Sequence, residues 1–125
     1  MKFAITYTLK DTTLDTSKLP DDWQEELDNM VTIDGIAGVL HKLGHTVVKL
    51  GDGPELLAKL QAEKPDIVFN LAEGRGVSRS REAWVPSLLE MLSIPYTASD
   101  PLTCALTLEK DYAKRLVASA GVPVP

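Results

Sequence analysis

Lys64-Pro65-Asp66-Ile67-Val68-Phe69-Asn70-Leu71-Ala72-Glu73-Gly74-Arg75-Gly76-Val77-Ser78-Arg79-Ser80-Arg81-Glu82 is the stretch that decides the fold of this 125-residue chain. Its Ile67-Val68-Phe69 core is an unbroken apolar run, the pattern of a strand covered on both faces, as in parallel sheets. A polar stretch from Asn70 to Arg81 follows at once. On the carboxyl side, a helix is expected through about Leu92, then a short extended segment Ser93-Ile94-Pro95-Tyr96-Thr97. Asp100-Pro101 pairs an acidic N-cap with a proline at the first helical position. Thr107 is expected to cap a last helix whose apolar face is Leu108, Tyr112, Leu116, Val117 and Ala120, ended by Gly121 and Pro123.

On the amino side, Pro54 to Glu63 carries Leu56, Leu57 and Leu60 at helical spacing, with Gly51-Asp52-Gly53 as a turn before it. His45 to Leu50 reads as a strand. Val31 to Leu43 has a broad apolar helical stripe that Gly44 terminates. Lys2 to Leu9 alternates Phe3, Ile5, Tyr7 and Leu9 with Ala4, Thr6 and Thr8, as a strand does. Lys10 to about Asn29 is a long polar connection with Pro20 and room for a short helix near Asp22 to Asp28; connections of that length are usually functional or mobile. Strands alternating with helices give an open, mostly parallel, Rossmann-like α/β sheet with helices on both faces. Ligands of such sheets bind beyond the carboxyl ends of the strands. Function is therefore expected in the loops after Leu9 and after Phe69.

Composition narrows the function classes. Hydrophobic residues are 44% and charged residues 25% of the chain, as in ordinary soluble domains. A net charge of -5 opposes binding to a phosphate backbone, so nucleic acid is not expected as a partner. No apolar run reaches the length of a membrane span, and the start lacks a secretory pattern, so a cytoplasmic protein is expected. Cys104 is the single cysteine and its apolar neighbours suggest a buried small residue. His41 and His45 have no carboxylate or cysteine at ligand spacing, so no metal site is expected in this chain. The Gly-x-Ser-x-Gly elbow, the dinucleotide fingerprint and the Walker pattern are all missing. Trp23 and Trp84 read as packing residues.

The loop after the third strand is the best place for chemistry. Its glycines allow close backbone approach, its arginines present planar donor forks, and Glu73 and Glu82 are carboxylates. That set suits a zwitterion, with acids for an ammonium and an arginine such as Arg81 for a carboxylate. It equally suits a solvated loop whose arginines pair with nearby acids. Asp21, Asp22, Glu25, Glu26 and Asp28 offer a second acidic group, of a kind usually found on solvated faces. Lys110 lies in the first turn of the last helix, where a cation opposes the helix dipole and a bound phosphate would explain it.

The ordered set Pro65-Asp66-Ile67-Val68-Phe69-Asn70-Leu71-Ala72-Glu73-Gly74, Ser80-Arg81-Glu82-Ala83, Pro86-Ser87-Leu88-Leu89-Glu90, Ile94 to Asp100, Leu106 to Lys110 with Lys114, and Ala120-Gly121-Val122-Pro123 resembles the D-alanine–D-alanine ligases and their ligase-like ATP-grasp relatives. It covers about half the chain. The resemblance implies a pre-ATP-grasp domain over residues 1–122, with 123–125 opening the linker to ATP-grasp lobes that lie elsewhere. It implies an intact parent that uses ATP and Mg²⁺ to join a carboxylate to an amine through an acyl phosphate, forming a dipeptide for peptidoglycan and the cell wall. Amino-acid substrates, the ATP-grasp lobes and a possible homodimer are the partners it implies.

By the same resemblance, Glu73, Gly74, Arg81, Glu82, Glu26 and Asp28 are substrate-binding and Lys110 meets the ATP phosphates. No catalytic set is complete here, no cofactor is held tightly by these residues alone, and the chain by itself is expected to be inactive. Glu73-Gly74 stands where the ligases proper carry His-Gly, and Glu109 replaces the aspartate before the lysine. A stand-alone receiver-like binding or oligomerisation module is the alternative, and would need a phosphorylatable aspartate ending the third strand.

Overall fold

The computed structural model describes residues 1–9 and 29–125. Among them are strands β1 (Lys2–Tyr7), β2 (Thr46–Lys49) and β3 (Ile67–Leu71). The helices are α1 (Met30–Lys42), α2 (Leu56–Glu63), α3 (Trp84–Met91), α4 (Pro101–Leu108) and α5 (Lys110–Ser119), with a 3₁₀ turn at Arg81–Ala83 preceding α3. The sheet runs β2-β1-β3 and both pairings are parallel, with Phe3 opposite both Val47 and Ile67. The expected fourth strand is reduced to one parallel bridge between Val68 and Tyr96. Val68 donates to the Pro95 carbonyl at 2.8 Å and accepts from the Thr97 amide at 3.0 Å. Pro95 has no N–H to extend the ladder and Ser93 turns left-handed at φ 55°, so pairing stops there.

Period-two alternation divides the core between the two faces of the sheet. Ala4 and Val68 point to the side covered by α2 and α3, where they join Leu50, Leu56, Leu60, Ala72, Val85 and Leu89. Ile5 points to the other side and packs with Ile33 and Ala37 of α1, flanked by Val47, Phe69 and Leu71. Helices therefore cover both faces, and β1 is central and buried. Each fully buried Leu or Ile here contributes about 1.5–3 kcal/mol relative to an exposed one.

Caps fix the helix ends. Asn29 accepts from the Thr32 amide at 3.1 Å to start α1. Asp100 accepts from the Thr103 amide at 2.8 Å with Pro101 behind it, as expected. Thr107 is not a cap: it lies inside α4, its hydroxyl donating to the Thr103 carbonyl at 2.8 Å. The break falls instead at Glu109, whose φ of -90° and ψ of 97° separate α4 from α5. Neither helix has a fully buried residue. Cys104 is accordingly half-buried rather than buried. Trp84 is 51% exposed, so it is not a core residue either. The expected short helix near Asp22 to Asp28 lies outside the described residues.

Tyr96 gives this corner a spectroscopic handle. Burial first, then the Glu90 carboxylate that accepts its phenol proton at 2.9 Å, pushes its pKa up to about 12 from 10.0. The folded value lies above the unfolded one, so the phenol's contribution to stability is whole below the unfolded pKa and lost as pH rises through the folded pKa. Spectrophotometric titration should show a phenolate transition near pH 12 that Tyr96→Phe removes. A Tyr96 transition at the ordinary tyrosine pKa would contradict the contact.

Candidate substrate-binding edge

Three strand ends meet at the carboxyl edge of the sheet: Thr8 just after β1, the Gly51-Asp52-Gly53 turn after β2, and Glu73-Gly74 after β3. Parallel pairing in the order β2-β1-β3 makes this inevitable, since all three chains leave the sheet on one side. The Thr8 hydroxyl is buried and donates its proton to Asp52 Oδ2. The same oxygen accepts from the backbone amides of Glu73, at 2.9 Å, and Gly74, at 3.1 Å. Asp52 Oδ1 accepts from Arg75 Nε at 2.7 Å. The Asp52 side chain is 1% exposed while that of Arg75 is 59% exposed, so Arg75 lies over the carboxylate as an outer strap.

One residue layer deeper, the Asn70 amide oxygen accepts from the Thr6 hydroxyl at 2.7 Å and from the Ala72 amide at 3.2 Å. Its own backbone amide donates to Thr97 Oγ1 at 3.0 Å. Asn70 is thus a strand residue with a buried side chain, and the loop begins two positions later than its polarity suggests.

The loop closes on itself. Gly74 has φ 74°, and a Cβ built there would sit 2.4 Å from the Arg81 carbonyl oxygen. Only glycine lets the start of the loop lie against its end. That approach brings Glu73 and Gly74 next to Arg81 and Glu82, both half-buried, with Arg81 Nη2 4.0 Å from Glu82 Oε1. Cys104 of α4 senses the same acids. Its pKa is raised chiefly by burial, then by the negative charges of Glu82, Asp100 and Glu73. The outer part of the loop is tied to the helical side: Arg79 Nε meets Glu109 Oε2 at 2.6 Å and its guanidinium stands 5.4 Å from the Tyr112 ring centre. Lys110, the next residue after Glu109, is exposed in the first turn of α5.

The structure therefore gathers Glu73, Gly74, Arg81 and Glu82 at one edge, with Lys110 next to the residue that anchors the loop. Arg75 points its Nε at Asp52 and Arg79 points its Nε at Glu109. Glu26 and Asp28 lie outside the described residues. Asp52, Thr8 and Asn70 were not expected as site residues. The one available signal was an aspartate between two glycines at the end of a strand, which reads as an ordinary turn. Among the described residues there is no group of three or more His, Cys, Asp or Glu placed to hold a metal ion. Nor is any of their helices long and apolar enough to cross a membrane.

These features define an open, parallel α/β lobe with a braced polar loop at the carboxyl edge of its sheet. No protein-family model matches the chain. It is 42% identical over 90 residues to the D-alanine–D-alanine ligase of Aquifex aeolicus, covering 72% of this chain and 30% of that protein. With the Moorella thermoacetica D-alanine–D-alanine ligase it shares 38% over 90 residues, 72% of this chain and 28% of the other. Among solved structures, the ATP-complexed D-alanine–D-alanine ligase of Bacillus anthracis matches all of this chain and 38% of its own, with a TM-score of 0.69 at 18% identity, a likeness of fold. The chain is a relative of the D-alanine–D-alanine ligases and spans about 30% of the length of the curated relatives it matches.

Proposed function

We propose that this chain is the substrate-side lobe, residues 1–122, of an ATP-dependent carboxylate–amine ligase of the D-alanine–D-alanine type, with 123–125 opening the linker to the ATP-grasp lobes. The observation that carries the reading is the 42% identity over 90 residues with a D-alanine–D-alanine ligase. The position of the braced loop at the carboxyl edge of the sheet supports it, because that edge is where folds of this kind meet their ligands.

In this reading Glu73 and Glu82 face the ammonium of an amino acid and Arg81 its carboxylate, while Glu26 and Asp28 add negative charge from the loop after β1. Lys110 fits the outer phosphates of ATP: it is a cation at the start of α5, where backbone N–H groups also favour an anion. ATP would supply the terminal phosphoryl group, leaving as ADP, to turn one substrate's carboxylate into an acyl phosphate; the amine of the second substrate would then displace phosphate to form a dipeptide. In this reading the Mg²⁺ that accompanies ATP is held by the ATP-grasp lobes. What this lobe contributes is position and charge, the terms that dominate such transfers. The setting that fits is cytoplasmic supply of peptidoglycan precursors, and a homodimer is compatible with it. The receiver-like alternative finds no support at β3, where Asn70 rather than an aspartate sits, with its amide oxygen committed to Thr6 and Ala72.

Purified chain given ATP, Mg²⁺ and D-alanine should release no ADP above background. In amide-resolved NMR titrations, D-alanine should move Glu73, Gly74, Arg81 and Glu82. Sustained Mg²⁺-dependent turnover by this chain alone would refute the lobe assignment. Shifts confined to the opposite edge of the sheet would remove the site.

A further inference from the structure

We propose that Asp52 is a positioning residue for the substrate loop, acting through Thr8 to fix the peptide planes of Glu73 and Gly74. The proposal rests on the ligase reading of that loop and extends it to two residues that never touch the substrate. A threonine hydroxyl has one proton and two lone pairs. Here the proton goes to Asp52 Oδ2, which leaves both lone pairs for the amides of Glu73 and Gly74. A carboxylate is an acceptor only, so it removes the alternative in which the hydroxyl turns round and donates elsewhere. A neutral neighbour that donates instead would take one of those lone pairs and leave one of the two amides unmatched.

The side chain of Asp52 is 1% exposed, a position where a carboxylate is costly unless it is hydrogen-bonded. A plain turn after β2 does not call for that. The Thr8 proton and the Arg75 Nε proton occupy its two oxygens separately and offset the cost. Arg75 itself belongs to the substrate loop. Asp52 therefore holds the loop at three successive residues: through Thr8 at Glu73 and Gly74, and directly at Arg75. The Glu73 carboxylate projects from the first of these, and its direction follows from that peptide plane. Gly74, locked at φ 74° against Arg81, carries the same constraint to Arg81 and Glu82.

The test uses the full chain with Asp52→Asn, Thr8→Val, Thr8→Ser and Arg75→Gln, reading amide hydrogen exchange and D-alanine affinity by NMR. Asp52→Asn and Thr8→Val should quicken exchange at Glu73 and Gly74 about tenfold or more and weaken D-alanine binding about tenfold, the loss expected for a charge-assisted hydrogen bond. The Val68 amide, held by Pro95, should keep its protection in both. Thr8→Ser keeps the hydroxyl and should restore wild-type exchange and affinity. Arg75→Gln, on the surface, should show the same pattern more weakly, which keeps the test valid where Asp52→Asn or Thr8→Val fails to fold.

Unchanged exchange at Glu73 and Gly74 in Asp52→Asn would overturn the proposal. So would quickened exchange with unchanged D-alanine affinity, since Asp52 would then brace the turn and nothing more. Failure of the ligase reading looks different: wild-type chain takes up no D-alanine while the exchange pattern still follows the variants. In that case the hold on the loop stands and its role toward a substrate is withdrawn.

Discussion

Leu89→Ala is expected to destabilise the chain by about 3 kcal/mol, within the range for emptying a fully buried leucine site. Leu89 is completely buried on α3 and packs in the cluster formed by Ala4, Leu50, Leu56, Leu60, Val68, Ala72 and Val85. Those neighbours come from the strands and helices on one face of the sheet, so collapse around the missing side chain is resisted from several directions. The Leu89 carbonyl also accepts from the Ile94 amide at 2.9 Å, at the turn that leads into the Tyr96 bridge. Urea unfolding should show a lower midpoint with an unchanged slope. Val77→Ala is the control: Val77 is 83% exposed in the loop and its truncation should change stability by less than about 0.5 kcal/mol. Equal effects of the two substitutions would mean that α3 does not cover the sheet as described.

Gly74→Ala should cost a similar amount, again about 3 kcal/mol, for a different reason. The new methyl would meet the Arg81 carbonyl oxygen at 2.4 Å and its carbonyl carbon at 2.5 Å, and backbone cannot swing aside as the end of a long side chain can. The positive φ adds strain of its own for an L-residue. The loop has to open at its neck, separating Glu73 from Arg81 and Glu82. A fall in Tm of about 10 °C is expected for a domain of this size, together with large amide shifts confined to residues 73–82. Gly76, also at positive φ, has open space within 4 Å of where a Cβ would stand, so Gly76→Ala should be milder. A Gly74→Ala chain as stable as wild type would show that the loop's two ends are not in contact.

Much of this architecture was legible in the residues themselves. The apolar run at Ile67-Val68-Phe69, the glycine after Leu43 and the Asp100-Pro101 pair all act locally, so strand, helix end and helix start could be read from adjacent positions. Two of the failures depend on partners distant in the chain. Asn70 looks like the first residue of a loop until the register sets it opposite Thr6, whose hydroxyl satisfies it. Asp52 looks like a turn residue until β1 and β3 bring Thr8 and Arg75 to it, 44 and 23 positions away in sequence. Glu109 carries no glycine or proline to announce a helix break, and Thr107 offered a more familiar cap. At the candidate site, the loop holding Glu73, Gly74, Arg81 and Glu82 was visible from its composition and its resemblance. Its brace was not.

The central claim is that this lobe presents substrate to ATP-driven ligation. It is tested most directly by replacing the matching residues of the Aquifex aeolicus D-alanine–D-alanine ligase with this chain and measuring ADP release. The predicted result is release that needs ATP, Mg²⁺ and an amino acid together, and that falls sharply in Lys110→Ala. A folded chimera that binds ATP yet releases no ADP with any D- or L-amino acid would contradict the account.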